Sequence, residues 1–284
     1  MKRKNLTVHT ELQHFGVGPF KVKQPLPAKG LEGVSPFILL HHAGPTTYQP
    51  GEIVSRLSPH PHRGFEPVTF LFSGNIHHKD STGSEGFLES GDVQWMTAGS
   101  GIIHSEGPSA EFVREGGTME LIQLWVNLPK AFKMTSPKYQ DIKQSAMPVI
   151  RKDGFEIWLV AGNYENEQGP ANTFSPIMAM MVHFDAGAHT IVTIPEHFSG
   201  LIYVLDGEME SGDAKLPSLS MGVFQSGGNE LEMKAITEGK LLLLAGAPIE
   251  EPVVSYGPFV MNYPGEIKQA MLDYQAGRMG VLEG

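Results

Sequence analysis

Val68-Thr-Phe-Leu-Phe-Ser-Gly74-Asn-Ile76 and Leu201-Ile-Tyr-Val-Leu-Asp-Gly207-Glu-Met209 are two versions of one pattern. Each is an apolar run, rich in β-branched and aromatic residues, that ends in a polar residue and a turn glycine. That is how a strand entering a tight turn reads. Downstream, Ser90-Gly-Asp-Val93 is matched by Ser220-Met-Gly-Val-Phe224. The offset is 133 residues between Gly74 and Gly207 and 131 between Gly91 and Gly222, a period that means two similar domains rather than a solenoid. The polar stretch KMTSPKYQDIKQSAMP breaks the strand pattern and puts the boundary near 135–150. The expected domains are residues 1–140 and residues 150–284, the second carrying a C-terminal helix.

Other strands of four to eight residues are expected around this repeat, among them Phe37–Leu40, Val93–Thr97, Leu121–Leu128, Met178–Phe184, Thr190–Ile194, Glu230–Lys234 and Leu241–Ala245. The 33 glycines and 21 prolines are spread along the chain as punctuation, so the fold class is all-β. One good helix is expected, in NYPGEIKQAMLDYQAGRMG. Asn262 would cap it, Pro264 sits in its first turn, Ile267, Met271 and Tyr274 would form its apolar face, and Gly277 would end it. A shorter helical stretch is expected around residues 138–145.

Composition narrows the function. With 31 acidic and 21 basic residues the formal charge is −10, and the bases do not cluster, which argues against direct nucleic-acid binding. The chain has no cysteine, so disulfides, thiolate nucleophiles and cysteine metal sites are excluded. This is compatible with a reducing cytoplasm, the expected location. The basic start MKRK lacks a following apolar segment, and no run is long enough to span a membrane.

Seven of the twelve histidines lie between residues 41 and 104. Two stretches carry the chemistry, Ser58-Pro-His60-Pro-His62-Arg-Gly-Phe-Glu66 and Gly101-Ile-Ile-His104-Ser-Glu106. Residues two apart on a strand share a face, so His60 and His62 point one way, and His104 and Glu106 do the same. Two such strands facing each other inside a barrel offer three nitrogens and one carboxylate oxygen. That set suits a divalent first-row metal with one or two positions left open. The prolines beside His60 are also compatible with a turn. Glu66, four residues after His62, is a ligand, a supporting base or a partner of Arg63. Phe65, Trp95 and Met96 are core residues or the lining of a pocket for a flat aromatic ligand. No P-loop, nucleophile elbow or H-E-x-x-H helix is present.

His60-Pro-His62-Arg-Gly-Phe-Glu66, followed by a strand to Gly74, resembles the first cupin motif with one extra residue before the glycine. Gly91-Asp-Val-Gln-Trp-Met-Thr-Ala-Gly99-Ser-Gly-Ile-Ile-His104-Ser-Glu106 resembles the second motif in the form found in the pirin family. Ser35-Pro-Phe-Ile-Leu-Leu40, Gln123-Leu-Trp-Val-Asn-Leu-Pro129 and Tyr256-Gly-Pro-Phe-Val-Met-Asn262 extend the resemblance over nearly the whole chain. It implies a bicupin fold, two double-stranded β-helix (jelly-roll) barrels, with one metal in the N-terminal barrel. Residues matching His60, His62, His104 and Glu106 would hold it; the general cupin pattern would instead use Glu66. Iron is the metal expected, with copper, nickel, zinc and manganese as alternatives. His78 matches a histidine of the family pattern, with a supporting or a surface role. His41 and His42 are expected in a loop where the family often has an acidic residue.

Aligning Gly207 on Gly74 puts Thr193 and Pro195 opposite His60 and His62. Neither binds such a metal, so the C-terminal barrel is expected to be metal-free.

The resemblance implies two functions of different kinds. One is a metal-dependent dioxygenase acting with O2 on a flavonol such as quercetin. Its metal would orient substrate and dioxygen, Glu106 (or Glu66) would take the substrate proton, and ring opening would release carbon monoxide. The other is a non-enzymatic, metal-dependent regulator that binds another protein, as a transcriptional or metabolic cofactor. In either case a monomer is expected.

Overall fold

A computed structural model describes residues 2–52 and 54–282. Strands dominate, as the turn-punctuated sequence requires. Among the described residues there are two α-helices, Ala110–Glu115 and Pro264–Gln275, and no helix long and apolar enough to cross a membrane.

The strands form two barrels, each pairing a seven-stranded with a four-stranded antiparallel sheet. In the first barrel the large sheet runs Lys138–Ile142, Val93–Thr97, Phe65–Ser73, Gly117–Asn127, Phe37–Tyr48, Phe20–Leu26 and Gln13–Val17. Its small sheet runs His60–His62, Ile102–Pro108, Asn75–Asp80 and Glu85–Glu89. In the second barrel the large sheet runs Thr7–His9, Ser220–Phe224, Ser199–Asp206, Gly239–Gly246, Ile177–Phe184, Phe155–Ala161 and Val149–Lys152. The small sheet is His189–Thr193, Glu230–Ala235, Met209–Ser211 and Ala214–Leu216. The two orders correspond strand for strand, the bicupin arrangement that the repeat and the motifs implied. The glycines that revealed the repeat both adopt positive φ, 104° at Gly74 and 84° at Gly207. At Gly207 a Cβ would lie 2.4 Å from the Glu238 carbonyl oxygen, so only glycine fits that turn.

Strand burial follows the pleat. His189–Thr193 alternates exposed and buried, as a strand with one face on a core does. The second barrel fills with side chains such as Phe155, Met180, Val192, Ile194, Ile202, Leu231, Met233 and Leu243.

The chain is not divided at one point. One compact unit comprises the stretch up to Gln13, Pro25–Ile38 and Ser145–Pro248; the other comprises His14–Gln24, Leu39–Gln144 and the stretch from Ile249 onward. The C-terminal helix, expected with the second domain, therefore belongs to the unit that contains the first barrel. The reason is packing. Ile267 and Ala270 of the helix, with Phe259, Met261 and Met279, cover Ile103 on the outer side of the Ile102–Pro108 strand. Likewise the edge strand of the second barrel is Thr7–His9, paired to Met221–Val223.

Three local expectations are corrected. Residues 138–142 are a strand, not a helix, because Lys138–Ile142 pairs residue for residue with Val93–Thr97 and forms the edge of that sheet. His41 and His42 lie within the Phe37–Tyr48 strand rather than a loop. The C-terminal helix is capped at Tyr263, with Pro264 at its first position, and the Glu266 carboxylate accepts from Tyr263 N at 3.0 Å and Asn262 N at 2.9 Å. Its buried positions are Ile267, Ala270 and Asp273, whereas Met271 and Tyr274 are exposed, so the packed face is turned by about one residue from the expected one.

Candidate metal centre

Strand register builds the site. Ile102–His104 pairs antiparallel with His60–His62, placing His104 directly opposite His60 and Ile102 opposite His62. The ring centroids of His60, His62 and His104 are 4.3–5.0 Å apart, and a ligand atom from each lies within 4.8 Å of the others. His62 and His104 are almost fully buried, and His60 is half-buried on the open side.

Each Nδ1 of the three rings is occupied. His60 Nδ1 donates to the Ser58 carbonyl at 2.9 Å, His62 Nδ1 faces the Pro258 carbonyl at 3.4 Å, and His104 Nδ1 lies 3.2 Å from His78 Nε2. By contrast, the Nε2 atoms of His62 and His104 are buried without a hydrogen-bond partner. Burying such a nitrogen unpaired costs on the order of 1–3 kcal/mol, so two of them side by side need a purpose. The pattern is that of imidazoles presented for metal ligation, with the outer nitrogen fixing tautomer and orientation. Burial also drives both rings well below the ordinary histidine pKa, so they are neutral near pH 7, the form that ligates. Phe65 and Trp125 pack against His62 at 5.1 and 5.5 Å and shield it with apolar surface. The donor set fits a divalent first-row cation.

The fourth expected ligand, Glu106, shares the inward face with His104 but lies outside the three-histidine group. Its Oε1 accepts from Gln123 Nε2 at 2.9 Å, and burial raises its pKa against the opposing pull of His60, Gln123 and Arg56. Glu66, the cupin alternative, does not reach the site. Thr69 lines the cleft beside Glu106, and a residue three earlier on the same strand points to the opposite face. There Glu66 accepts the Thr97 hydroxyl at 2.7 Å, and burial raises its pKa to about 7.

His78 is buried in the site rather than on the surface. Besides His104 it contacts the Tyr139 hydroxyl at 3.0 Å. Its neighbour His77 faces outward, stacked on Phe87 at 4.4 Å. The signal was legible: Ile76, His78 and Asp80 alternate with His77 and Lys79, and a core isoleucine at one end marks the inward face. Gln123 and Pro258 lie in stretches that carry the family resemblance, but nothing in those stretches assigns them a role at the site.

A narrow cleft of about 30 Å³ adjoins Glu106 and Gln123, lined mainly by Val17, Phe20, Val22, Leu57, Ile76 and Leu121. That is room for about two waters. His41 borders it, bonded to Gln24 at 3.0 Å and pushed by burial down to about pKa 4, hence neutral. Phe65, Trp95 and Met96 are buried core, the first of their two expected readings, and do not line this cleft.

Comparison with known proteins agrees with this geometry. The pirin family model matches residues 19–126, and the model of the pirin C-terminal cupin domain matches residues 179–280. Pirin-1 of Arabidopsis thaliana is 41% identical over 228 residues, covering 78% of this chain and 77% of that protein. Human pirin is 34% identical over 285 residues, covering 98% and 94%. The crystal structure of a quercetin 2,3-dioxygenase from Acinetobacter baumannii superimposes with a TM-score of 0.94 at 36% identity, covering 99% of this chain and all of that one. With both domains matched and its histidines convergent in the first barrel, the chain belongs to the pirin family of bicupin proteins.

Proposed function

We propose that the protein is a metal-dependent dioxygenase that cleaves a flavonol such as quercetin with O2. In this reading His60, His62 and His104 hold one divalent cation, iron being the expected one, and Glu106 serves as fourth ligand. The observation that carries it is the pair of orphaned Nε2 atoms on His62 and His104, beside a buried carboxylate on the same strand face. The similarity to a solved quercetin 2,3-dioxygenase supports the reaction class. A bound divalent cation supplies Lewis acidity and open coordination positions at this point.

The chain's own residues divide the remaining work. Ser58, Pro258 and His78 orient the three imidazoles. Gln123 holds Glu106 in place, and this carboxylate is the group placed to take the flavonol hydroxyl proton. Phe65 and Trp125 exclude water around His62. The cleft is too narrow for a flavonol ring as it stands, so substrate enters from the half-exposed His60 side or widens the cleft about Leu57. The absence of cysteine suits a reducing cytoplasm.

The test is to load separate samples with iron, copper, nickel and manganese and follow flavonol absorbance and oxygen uptake under air. Turnover above the metal-only background with at least one metal is expected. Glu106→Gln should lower it at least 100-fold if the carboxylate is the base, a typical contribution of a positioned acid–base group. Intact quercetin with every metal sinks this reading.

The narrow cleft favours one alternative, a regulator whose metal state controls affinity for a protein partner. It predicts metal-dependent partner binding with no flavonol consumption.

A further inference from the structure

The His60–Gly64 segment is held by chain that lies some 200 residues further on. Arg63 N donates to the Pro258 carbonyl at 3.3 Å, and Val260 N returns a bond to the Arg63 carbonyl at 3.0 Å. The same Pro258 carbonyl faces His62 Nδ1. Gly64 has φ +86°, and a Cβ there would sit 2.0 Å from the Val260 carbonyl oxygen, so the two backbones touch as closely as glycine permits. Lys133, buried, donates its ammonium protons to the carbonyls of Gly64 (2.7 Å) and Val260 (3.0 Å) and to Asn127 Oδ1 (2.7 Å). The buried Arg63 guanidinium reaches in the other direction, to Asp273 Oδ2 on the C-terminal helix at 2.8 Å and to the Ser100 carbonyl at 2.6 Å. Asp273 is in turn fixed by Gln269 and Arg278.

These contacts exceed what joining a terminal segment to a barrel needs. They converge on the two residues that follow His62, and they supply the acceptor for its Nδ1. We propose that the segment Pro258–Val260 and the helix Pro264–Gln275 are a positioning element of the metal centre. Asp273 and Lys133, which touch no ligand nitrogen, set the affinity and coordination geometry of the site by fixing the His62–Gly64 backbone. This rests on the metal reading above. A 3.4 Å contact at His62 is long for a hydrogen bond, so it orients the ring only while the strand behind it is held. Partners of this kind typically change metal affinity about 10–100-fold.

The experiment uses the full-length protein and Co2+ as probe, with affinity from chelator competition and geometry from the visible absorption of the bound ion. Asp273→Ala should weaken Co2+ binding about tenfold and alter its spectrum, Asp273→Asn should recover part of both, and Lys133→Met should act in the same direction. Leu243→Ala, in the core of the second barrel, is the control for lost stability; it should lower Tm and leave the Co2+ spectrum unchanged. Should Asp273→Ala fail to fold, Asp273→Asn and Lys133→Met decide. Variants that lose thermal stability yet bind Co2+ with the native affinity and spectrum overturn the proposal alone. A native protein that binds no Co2+ overturns the metal reading and this proposal with it.

Discussion

The small sheets of the two barrels have the same strand order and opposite interiors. In the first, His60 stands opposite His104 and His62 opposite Ile102. In the second, Val192 stands opposite Leu231, and Ile194 N bonds to Asn229 O. The inward residues that answer His60, His62, His104 and Glu106 are thus Val192, Ile194, Leu231 and Met233, all in the apolar core. The Gly74–Gly207 alignment had chosen Thr193 and Pro195, one residue off. The turn leading into the next strand is longer in the second barrel, residues 194–198 against residues 63–64, and a slip of one residue exchanges the faces of a strand. One architecture therefore holds either a polar cluster or hydrocarbon at the same four points. The second barrel spends the positions on packing and the first on unpaired nitrogens.

The largest effect expected from this contrast is on metal content. Purified protein should carry at most one divalent metal per chain, and His62→Ala should lose nearly all of it, as measured by elemental analysis. Two metals per chain, or metal retained by His62→Ala, would break the comparison.

Exchanging residues between the barrels sharpens it. Leu231→His puts an unpartnered imidazole into hydrocarbon and should cost about 3 kcal/mol in urea denaturation. The reciprocal His104→Leu removes an orphaned nitrogen from the first barrel. It should abolish metal binding while changing metal-free stability by no more than about 1 kcal/mol. A large loss in His104→Leu would show that the cluster supports the fold as well as the metal.

The pH dependence of the metal-free protein should also come from the first barrel. Burial lowers the pKa of His41 and His78 to about 4 and that of His62 and His104 well below 6.5. These four rings stay neutral in the folded state and take up protons on unfolding, so each withdraws about 1.4 kcal/mol per pH unit as pH falls below 6.5. Glu66, raised to about 7, and Glu106, also raised, bind protons in the folded state first and oppose this. Four rings against two carboxylates leave a net uptake of protons on unfolding, so stability should decline as pH falls from 6.5 to 4.5. Urea midpoints measured across that range check the sign; rising stability on acidification would contradict it.

The smallest effect is expected at Glu66. Because it lies on the face opposite the cleft, Glu66→Gln should leave metal content unchanged and lower stability by about 1 kcal/mol or less, since the Thr97 bond is kept. Metal loss in Glu66→Gln would restore the general cupin ligand pattern.

Much of this was legible in the sequence because it is local. Period-two alternation identified the strands and the shared faces of His60 with His62 and of His104 with Glu106. The repeat around Gly74 and Gly207 identified two similar domains, since a strand that ends in a tight turn leaves the same mark wherever it occurs, and the family resemblance made them barrels. The absence of cysteine and the histidine spacing narrowed the chemistry to a nitrogen–oxygen metal site. What only the tertiary structure decided is long-range. Lys138–Ile142 became a strand because a sheet edge was available to it. Glu66 turned away because its strand is locked in register with its neighbours. The C-terminal helix joined the first barrel because Ile103 needed cover there. His62 takes its outer acceptor from Pro258, a carbonyl that every residue possesses, so the residue type does not announce the role; only the folded chain brings the two together.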